Sequence, residues 1–232
     1  MAAQSIRAAD GSSFTAYLAL PKHGKGPGLV VIQEIFGVNP WLRAVADAAA
    51  AQGYVAMAPD LFWRLKPGIE LDSDKEDEFK KGVGYLQRFD EALGIGDLEA
   101  TVAALRAHPS CTGKVGSLGY CIGGRLAFLL ACRSDTDANA GYYGVNIQAA
   151  LGEAANITKP LLLHIAENDK FVPAAAQRQI REGLKDNPRV TIHSYPNADH
   201  GFARSGSHAY QKAAADLANS RTADFFRHTL RG

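Results

Sequence analysis

One cysteine lies between glycines in a pattern that could carry nucleophilic catalysis. Cys121 is at the centre of the segment Gly119–Gly124 (GYCIGG), which follows an apolar run and precedes a helical pattern. A nucleophile on a sharp strand-to-helix turn needs neighbours almost free of side chains, so that the strand and the helix can pack. The turn also predicts Cys121 at a helix N-terminus, where free N–H groups and the helix dipole favour the attacking thiolate. Cys111 and Cys132 lack such a turn, and we expect both to be small buried structural residues.

A histidine and an aspartate in later loops could complete the nucleophilic group. His200 lies in a loop after the last predicted strand, and Asp169 lies in a loop after the apolar run 161–165. The chain order of nucleophile, acid and histidine is the order expected for α/β-hydrolases. We therefore predict Cys121 as the nucleophile, His200 as the base and Asp169 as the acid that orients it. Asp199 is an alternative acid, but adjacent residues rarely point at each other.

Glu34 is a further acidic candidate, because it comes just after the buried run 29–32, where an unpaired carboxylate is costly. Two interpretations stay open: a cap or surface-turn acid, or a pocket carboxylate near Cys121 that manages its proton. His164 lies inside an apolar strand and is predicted to be a hydrogen-bonded core residue. The sequence contains no zinc-binding, P-loop or dinucleotide-binding motif, so it predicts no metal and no cofactor.

The elements that must position these residues alternate between strand and helix. From residue 29 onward, short apolar runs alternate with helical spacing, which predicts an α/β fold with a mostly parallel sheet of about eight strands and helices on both faces. Active sites in such sheets gather beyond the carboxyl ends of the strands. The first twenty residues predict a hairpin that turns at Asp10–Gly11, and residues 22–28 predict a loop. The predicted strands are 29–32, 54–57, 115–118, 161–165 and 190–193, and the predicted helices are the 98–105 region, 122–132, 174–184 and a last helix near 210–230.

The stretch 62–89 fits neither periodicity. It contains Lys66-Pro67-Gly68 and a run of mixed charge. We predict an excursion over the sheet, which is either a lid or pocket wall or a solvated surface loop.

Length and composition favour one domain with a small-molecule partner. A chain of 232 residues suits a single α/β domain over 1–232. Lys and Arg total 25 against 24 Asp and Glu, so the net charge of +1 gives no reason to expect nucleic acid. No apolar run approaches the ~18 residues that span a bilayer, and three irregularly spaced cysteines make no disulfide framework. We expect a cytoplasmic protein, a monomer or weak dimer, with neither nucleic acid nor membrane as partner.

Several segments together resemble the dienelactone hydrolase (carboxymethylenebutenolidase) family of the α/β-hydrolase superfamily, over nearly the whole chain. These segments are 33–39 (QEIFGVN), 119–124 (GYCIGG), 141–144 (GYYG), 169–173 (DKFVP) and 200–204 (HGFAR). The resemblance implies an α/β-hydrolase fold. It also implies that an acyl-enzyme intermediate opens a small ester or lactone, one that is dienelactone-like and gives a maleylacetate-like product.

The resemblance implies roles for further residues. The backbone N–H groups of Ile35 and Ile122 would form the oxyanion hole. Glu34 would pair with an arginine in the resting enzyme and take the cysteine proton when an anionic substrate binds, and Arg204 matches that family arginine. The residues implied to contact the substrate are Arg204, Phe36, Tyr142 and Phe79.

One of these positions departs from the family pattern. The family has a second arginine for the substrate carboxylate where this chain has Phe79, and a tyrosine of the same loop becomes Val83. Lys80, Lys81 or Arg88 could replace the lost charge, although a lysine offers a point charge rather than a bidentate fork. We therefore hypothesise a hydrolase with altered or broadened specificity.

Three alternatives stay open at this point. The first is a broad carboxylesterase or thioesterase that acts on neutral esters with the same triad. The second is a non-catalytic module that holds a small ligand in its pocket. The third treats Cys121 as a redox sensor, because cysteines of low pKa are also oxidisable.

Overall fold

Eight strands and six α-helices are present in the computed structural model, which describes residues 2–231. The strands are β1 (Ala2–Arg7), β2 (Ser13–Ala19), β3 (Gly26–Ile32), β4 (Val55–Pro59), β5 (Cys111–Tyr120), β6 (Ala138–Tyr142), β7 (Leu161–Ala166) and β8 (Val190–Tyr195). The helices are α1 (Pro40–Ala51), α2 (Glu76–Arg88), α3 (Glu91–Ala107), α4 (Ile122–Arg133), α5 (Ala174–Leu184) and α6 (Lys212–Leu230), and a 3₁₀ segment covers Ile147–Asn156.

The strands form a sheet in the order β1-β2-β4-β3-β5-β6-β7-β8. β3 pairs parallel with β4, and β5, β6, β7 and β8 pair parallel in turn, whereas the pairs β1–β2 and β2–β4 are antiparallel. The predicted α/β fold with a mostly parallel sheet of about eight strands is therefore confirmed. β3, β4, β6 and β7 are buried along their whole length, which is typical of parallel strands covered on both faces.

The chain divides into two compact units, and the first covers residues 1–115. Its hairpin of β1 and β2 has the predicted turn at Asp10–Gly11, so that prediction is confirmed. Helix α1 is absent from the sequence prediction, although the chain carries a start signal for it. Asn39 caps the helix by accepting a hydrogen bond from the Leu42 N–H at 3.0 Å, and Pro40 occupies the first turn.

The predicted loop at 22–28 is wrong in its second half, because β3 already begins at Gly26. A Cβ on Gly26 would lie 1.9 Å from the carbonyl oxygen of Gly53, and a Cβ on Gly28 would lie 2.9 Å from the Val115 side chain. Glycine therefore serves close packing here. Sequence alone does not distinguish that use of glycine from its use in turns.

The excursion at 62–89 contains a helix, α2, that the sequence prediction lacks. Its first turn is acidic, and the ion pairs Lys80–Glu76 and Lys81–Asp77 join residues one turn apart on its exposed side. Gly82 is its one buried residue, and a Cβ there would lie 2.8 Å from the Ile35 carbonyl oxygen. The helix is thus held by surface charges, by one close backbone approach and by ring contacts of Phe79 with Phe36 and of Tyr85 with Phe62.

The second unit covers residues 116–232, of which 116–231 are described. Helix α5 has the predicted bounds, α4 ends one residue beyond its prediction, and α6 starts at Lys212. The prediction missed strand β6 because its sequence, ANAGY, is short and contains a glycine. One domain over 1–232 stays a prediction, and its two end residues, Met1 and Gly232, lie outside the described range. None of the described helices combines the length and the apolar character that a bilayer crossing requires.

Candidate active site

Cys121 occupies a sharp turn between β5 and α4, in a backbone conformation that side chains rarely adopt. Its φ is 57° and its ψ is −117°. A Cβ on Gly119 would lie 1.9 Å from the Gly123 carbonyl oxygen, and a Cβ on Gly124 would lie 2.7 Å from the Tyr142 carbonyl oxygen. The predicted strand, turn and helix around the cysteine are therefore present, and glycine is required on both sides of it.

Backbone hydrogen bonds hold this turn from several sides. The Cys121 N–H donates to the Tyr142 carbonyl at 3.1 Å, and the Cys121 carbonyl accepts from the N–H groups of Arg125 at 3.2 Å and Val145 at 3.3 Å. Ile122 is the first residue of α4, so its N–H has no acceptor within the helix. The turn thus presents a fixed sulfur beside a helix N-terminus whose N–H groups can stabilise negative charge.

His200 and Asp169 lie together in the loops that follow β8 and β7. His200 Nδ1 is 2.7 Å from Asp169 Oδ2, and the aspartate side chain is fully buried. The other aspartate oxygen, Oδ1, accepts from the N–H groups of Phe171 at 2.8 Å and Val172 at 3.3 Å. The carboxylate is therefore fixed by its own loop and leaves one oxygen for the imidazole.

The environment of His200 raises its pKa to about 10. Burial alone lowers the pKa, but a negative charge on the Cys121 sulfur and hydrogen bonds to Asp169 and Cys121 together outweigh it. Because Nδ1 is bound to Asp169, the nitrogen that faces the sulfur is Nε2. The structure thus joins the three residues predicted for the triad in one hydrogen-bonded chain and favours a protonated imidazole.

The alternative acid, Asp199, has a different partner. Its Oδ1 accepts a hydrogen bond from Asn168 Nδ2 at 2.5 Å, and the Asn168 N–H donates to the Ala198 carbonyl at 2.9 Å. The residues that precede Asp169 and His200 in the chain are thus bound to each other, which ties the two loops together. The sequence did not predict these hydrogen bonds between the two loops.

Two aromatic rings contact the His200 imidazole. The ring centroids of Tyr143 and Phe171 each lie 4.9 Å from that of the imidazole. Tyr143 is buried and has a φ of 38°, a strained value for a bulky residue. Phe171, in contrast, is 54% exposed. Sequence reasoning assigned neither a role, although both lie in the GYYG and DKFVP segments.

Tyr142 and His164 belong to a buried polar network. The Tyr142 hydroxyl lies 2.7 Å from Thr222 Oγ1 and donates to Asn219 Oδ1 at 3.0 Å. The side chain of Tyr142 has no exposed surface, so it offers none to a substrate. His164 bonds to Thr222 and Tyr195 through its two ring nitrogens, and burial holds its pKa well below the ordinary value. The prediction of a hydrogen-bonded core histidine is confirmed.

The other cysteines differ from each other. Cys132 is buried, and burial raises the pKa of its thiol to about 12, which suits an inert structural residue. Cys111 is only half-buried, so the expectation of burial is wrong for it. Its Sγ accepts from the Gly113 N–H at 3.4 Å in a tight turn that begins β5.

Glu34 is buried in the first unit, with 2% of its surface exposed. The interpretation as a surface-turn or capping acid is therefore wrong, because the cap of the next helix is Asn39. The neighbouring Gln33 side chain accepts from the Leu61 N–H at 3.0 Å and donates to the Glu34 carbonyl at 3.3 Å. These bonds fix the backbone from which the glutamate extends.

Phe79 packs on Phe36, with ring centroids 5.9 Å apart. The three residues that could replace the missing arginine charge have other partners. Lys80 and Lys81 are exposed and paired with acidic residues of α2, and the Arg88 guanidinium lies over the Tyr85 ring at 5.1 Å. Position 79 therefore places an aromatic ring, not a charge, beside Phe36.

Arg204 is buried in the second unit, four residues after His200. Its guanidinium lies so close to Gly201 that a Cβ there would be 2.7 Å from a terminal nitrogen. Gly201 has a φ of 81°, so this loop needs glycine both for its conformation and for the arginine. Among the described residues, no group of three His, Cys, Asp or Glu side chains could hold a metal ion.

A mostly parallel sheet, a strained turn at Cys121 between strand and helix, and a histidine bonded to a buried aspartate define a protein of the α/β-hydrolase class. The chain matches the model of the family described as "Dienelactone hydrolase family" over residues 14–230. It is 47% identical over 237 residues to the "Putative carboxymethylenebutenolidase" of Azospirillum brasilense, with 97% of this chain and 98% of that protein covered. The chain therefore belongs to the dienelactone hydrolase family.

Two further comparisons agree. The carboxymethylenebutenolidase of Pseudomonas putida is 42% identical over 221 residues, with 95% of this chain and 94% of that protein covered. A crystal structure described as "Putative Dienelactone Hydrolase" from Klebsiella pneumoniae has a TM-score of 0.85 at 26% identity and covers 97% of each chain. The protein is thus a hydrolase that acts on an ester or a lactone.

Proposed function

We propose that this hydrolase uses Cys121, His200 and Asp169 as a catalytic triad and passes through an acyl-enzyme intermediate. The observation that carries the proposal is the hydrogen-bonded chain from Asp169 through His200 to Cys121. All three side chains leave the carboxyl ends of parallel strands or the turns that follow them, the usual place for active sites in such sheets.

In the first half-reaction, the Cys121 thiolate attacks the carbonyl carbon of the ester. The protonated His200 then gives its Nε2 proton to the leaving oxygen as the carbon–oxygen bond breaks. Asp169 holds the imidazole in place and stabilises its positive charge through the 2.7 Å contact at Nδ1. In the second half-reaction, neutral His200 takes a proton from water, and the resulting hydroxide releases the acyl group from the sulfur.

The negative oxygen of the tetrahedral intermediates needs donors. The free N–H of Ile122 at the start of α4 supports its assignment as one of them, and the family resemblance adds the N–H of Ile35. Each such donor contributes about 3–4 kcal/mol of transition-state stabilisation in comparable sites. By the same resemblance, Glu34 takes the proton of the Cys121 thiol when an anionic substrate binds, and Arg204 binds an anionic group of that substrate.

For the substrate, we propose a dienelactone-like ester that is opened to a maleylacetate-like product. A second candidate is a neutral ester or thioester, and a specific observation favours it. Phe79 places an aromatic ring on Phe36 at the position of the second family arginine, while Lys80 and Lys81 are engaged with acids on the exposed side of α2. A single arginine at position 204 weakens the preference for an anion relative to two.

The test compares kcat/KM of the wild type and of Cys121→Ser on a dienelactone and on a neutral aryl ester at one pH. A strong preference for the dienelactone that is lost in Cys121→Ser would support the family activity. A preference for the aryl ester, equally lost, would support the second candidate. Activity on either substrate that does not depend on Cys121 contradicts the triad, and no activity at all favours a ligand-binding module or a redox-active cysteine.

The remaining expectations belong to the same proposal. We propose a small-molecule substrate without nucleic acid, membrane or resident cofactor, and a cytoplasmic protein that is a monomer or weak dimer. The three free cysteines support a reducing compartment.

A further inference from the structure

An exposed aromatic side chain lies beside the histidine that would protonate the leaving group. Phe171 follows Asp169 by two residues, and its ring packs edge-on against the His200 imidazole with an interplanar angle of 73°. It is 54% exposed, one of four large apolar side chains of the described chain with such exposure. Tyr143 contacts the same imidazole but is 1% exposed, so it has no surface for a ligand.

The backbone of Phe171 is fixed although its ring is exposed. Its N–H donates to Asp169 Oδ1 at 2.8 Å, and the next residue, Val172, is buried and donates to the same oxygen at 3.3 Å. The carboxylate that orients His200 therefore also positions Phe171. The ring stands at a set place relative to the imidazole, which is what a specificity-determining side chain requires.

The chemistry locates the leaving group next to this ring. His200 Nδ1 is held by Asp169, so the proton for the leaving oxygen must come from Nε2. That oxygen must approach Nε2 to hydrogen-bond distance, about 3 Å, and the alcohol portion attached to it then lies beside the imidazole. Phe171 contacts this imidazole and has exposed ring surface, so an alcohol portion beside the imidazole can pack on it.

We propose that Phe171 forms a leaving-group subsite that selects esters with a planar, unsaturated alcohol portion, that is, aryl and enol esters and lactones. The inference rests on the proposed triad, because it uses His200 as the general acid. Offset or edge-on contact with the phenyl ring stabilises a planar leaving group more than a saturated one of similar reactivity. In an open-chain ester the alcohol leaves when Cys121 is acylated, so for such esters the subsite affects acylation and not the hydrolysis of the acyl-enzyme.

The experiment uses two acetate esters that share the acyl group, phenyl acetate and 2,2,2-trifluoroethyl acetate. Rapid-quench single turnovers give the acylation rate for each ester, and the decay of the acetyl-enzyme gives the deacylation rate. The variants are Phe171→Ala and Phe171→Leu, and Leu217→Ala serves as the control because Leu217 is 48% exposed on α6.

We expect Phe171→Ala to lower the acylation efficiency for phenyl acetate by about tenfold, the scale of one aromatic contact, and to change that for trifluoroethyl acetate by less than about twofold. Deacylation should be unchanged. Phe171→Leu should fall between wild type and alanine, because it restores apolar surface without a planar ring, and Leu217→Ala should match the wild type.

Two results would overturn the inference. An equal loss for both esters would make Phe171 a residue that positions His200 rather than one that selects the leaving group, and unchanged acylation of both esters would remove Phe171 from the site. If the wild type turns over without any acetyl adduct on Cys121, the proposed triad fails and the subsite fails with it. A Cys121 adduct with an unchanged ester ratio refutes the subsite alone.

Discussion

Replacing Asp169 with asparagine changes one oxygen to an amide nitrogen and should disable His200. The aspartate Oδ1 accepts backbone N–H groups from Phe171 and Val172, and the asparagine oxygen will keep those two bonds. The amide NH₂ must then face His200 Nδ1 at the 2.7 Å position, where it can donate but not accept. An imidazole that accepts this bond carries its remaining proton on Nε2, so that nitrogen cannot take a proton from water in the second half-reaction.

The expected loss follows from the wrong imidazole tautomer and the lost carboxylate charge. The corresponding aspartate-to-asparagine change in a serine-protease triad lowers kcat by about 10⁴-fold. Asp169→Asn should therefore lower kcat/KM on phenyl acetate by about 10²- to about 10⁴-fold.

Asp199→Asn is the matched control, because the asparagine oxygen can still accept from Asn168 Nδ2. It should retain kcat/KM within about threefold, because this bond is exposed and the asparagine preserves it. Circular dichroism and thermal melting should show both variants folded. If Asp169→Asn stays within about fivefold of wild type, or if Asp199→Asn loses more, the assignment of the orienting acid is refuted.

Two further predictions test the charge state of the histidine and the packing of the nucleophile turn. Because the pKa of His200 is raised to about 10, its imidazole should keep its proton as pH rises from 6.5 toward 10, and ¹⁵N NMR of the resting enzyme should show this. In Cys121→Ala the charge that raises the pKa is gone while burial still lowers it, so the proton should leave at a lower pH; an unchanged titration would contradict the ion pair. Gly119→Ala should destabilise the fold by about 2 kcal/mol or more, because its Cβ meets the Gly123 carbonyl at 1.9 Å. Gly96→Ala in α3, with nothing within 4 Å, should be neutral or stabilising by up to about 1 kcal/mol in urea unfolding, and equal effects of the two changes would contradict the packing argument.

The sequence predicted those elements in which one local pattern decided the outcome. Helix α5 has the predicted bounds because its apolar spacing begins directly after Pro173. The strands β3, β4 and β7 are apolar runs because both of their faces are buried. The prediction failed where distant residues decide. Gly26 and Gly28 are typical of a loop in sequence, but the Gly53 carbonyl lies against Gly26 and the Val115 side chain lies against Gly28.

In the candidate site too, the sequence predicted what a local pattern decides and missed what distant residues decide. Cys121 and its glycines are adjacent in the chain, and the positions of Asp169 and His200 after strands could be predicted from the order of elements. The Asn168–Asp199 bond and the exposure of Phe171 depend on how two loops meet, which no periodicity records. Tyr142 was expected at the substrate, but the direction of its ring is set by Thr222, 80 positions along the chain.

The proposed mechanism requires Cys121 to carry the acyl group during turnover. The most direct measurement is peptide mass spectrometry of the enzyme acid-quenched during its first turnover of phenyl acetate. We expect one acetyl group on the peptide that contains Cys121, which accumulates and then decays at the rate of turnover, and we expect neither adduct nor activity in Cys121→Ala. Turnover without an adduct, an acetyl group on another residue, or an active Cys121→Ala variant would contradict the account.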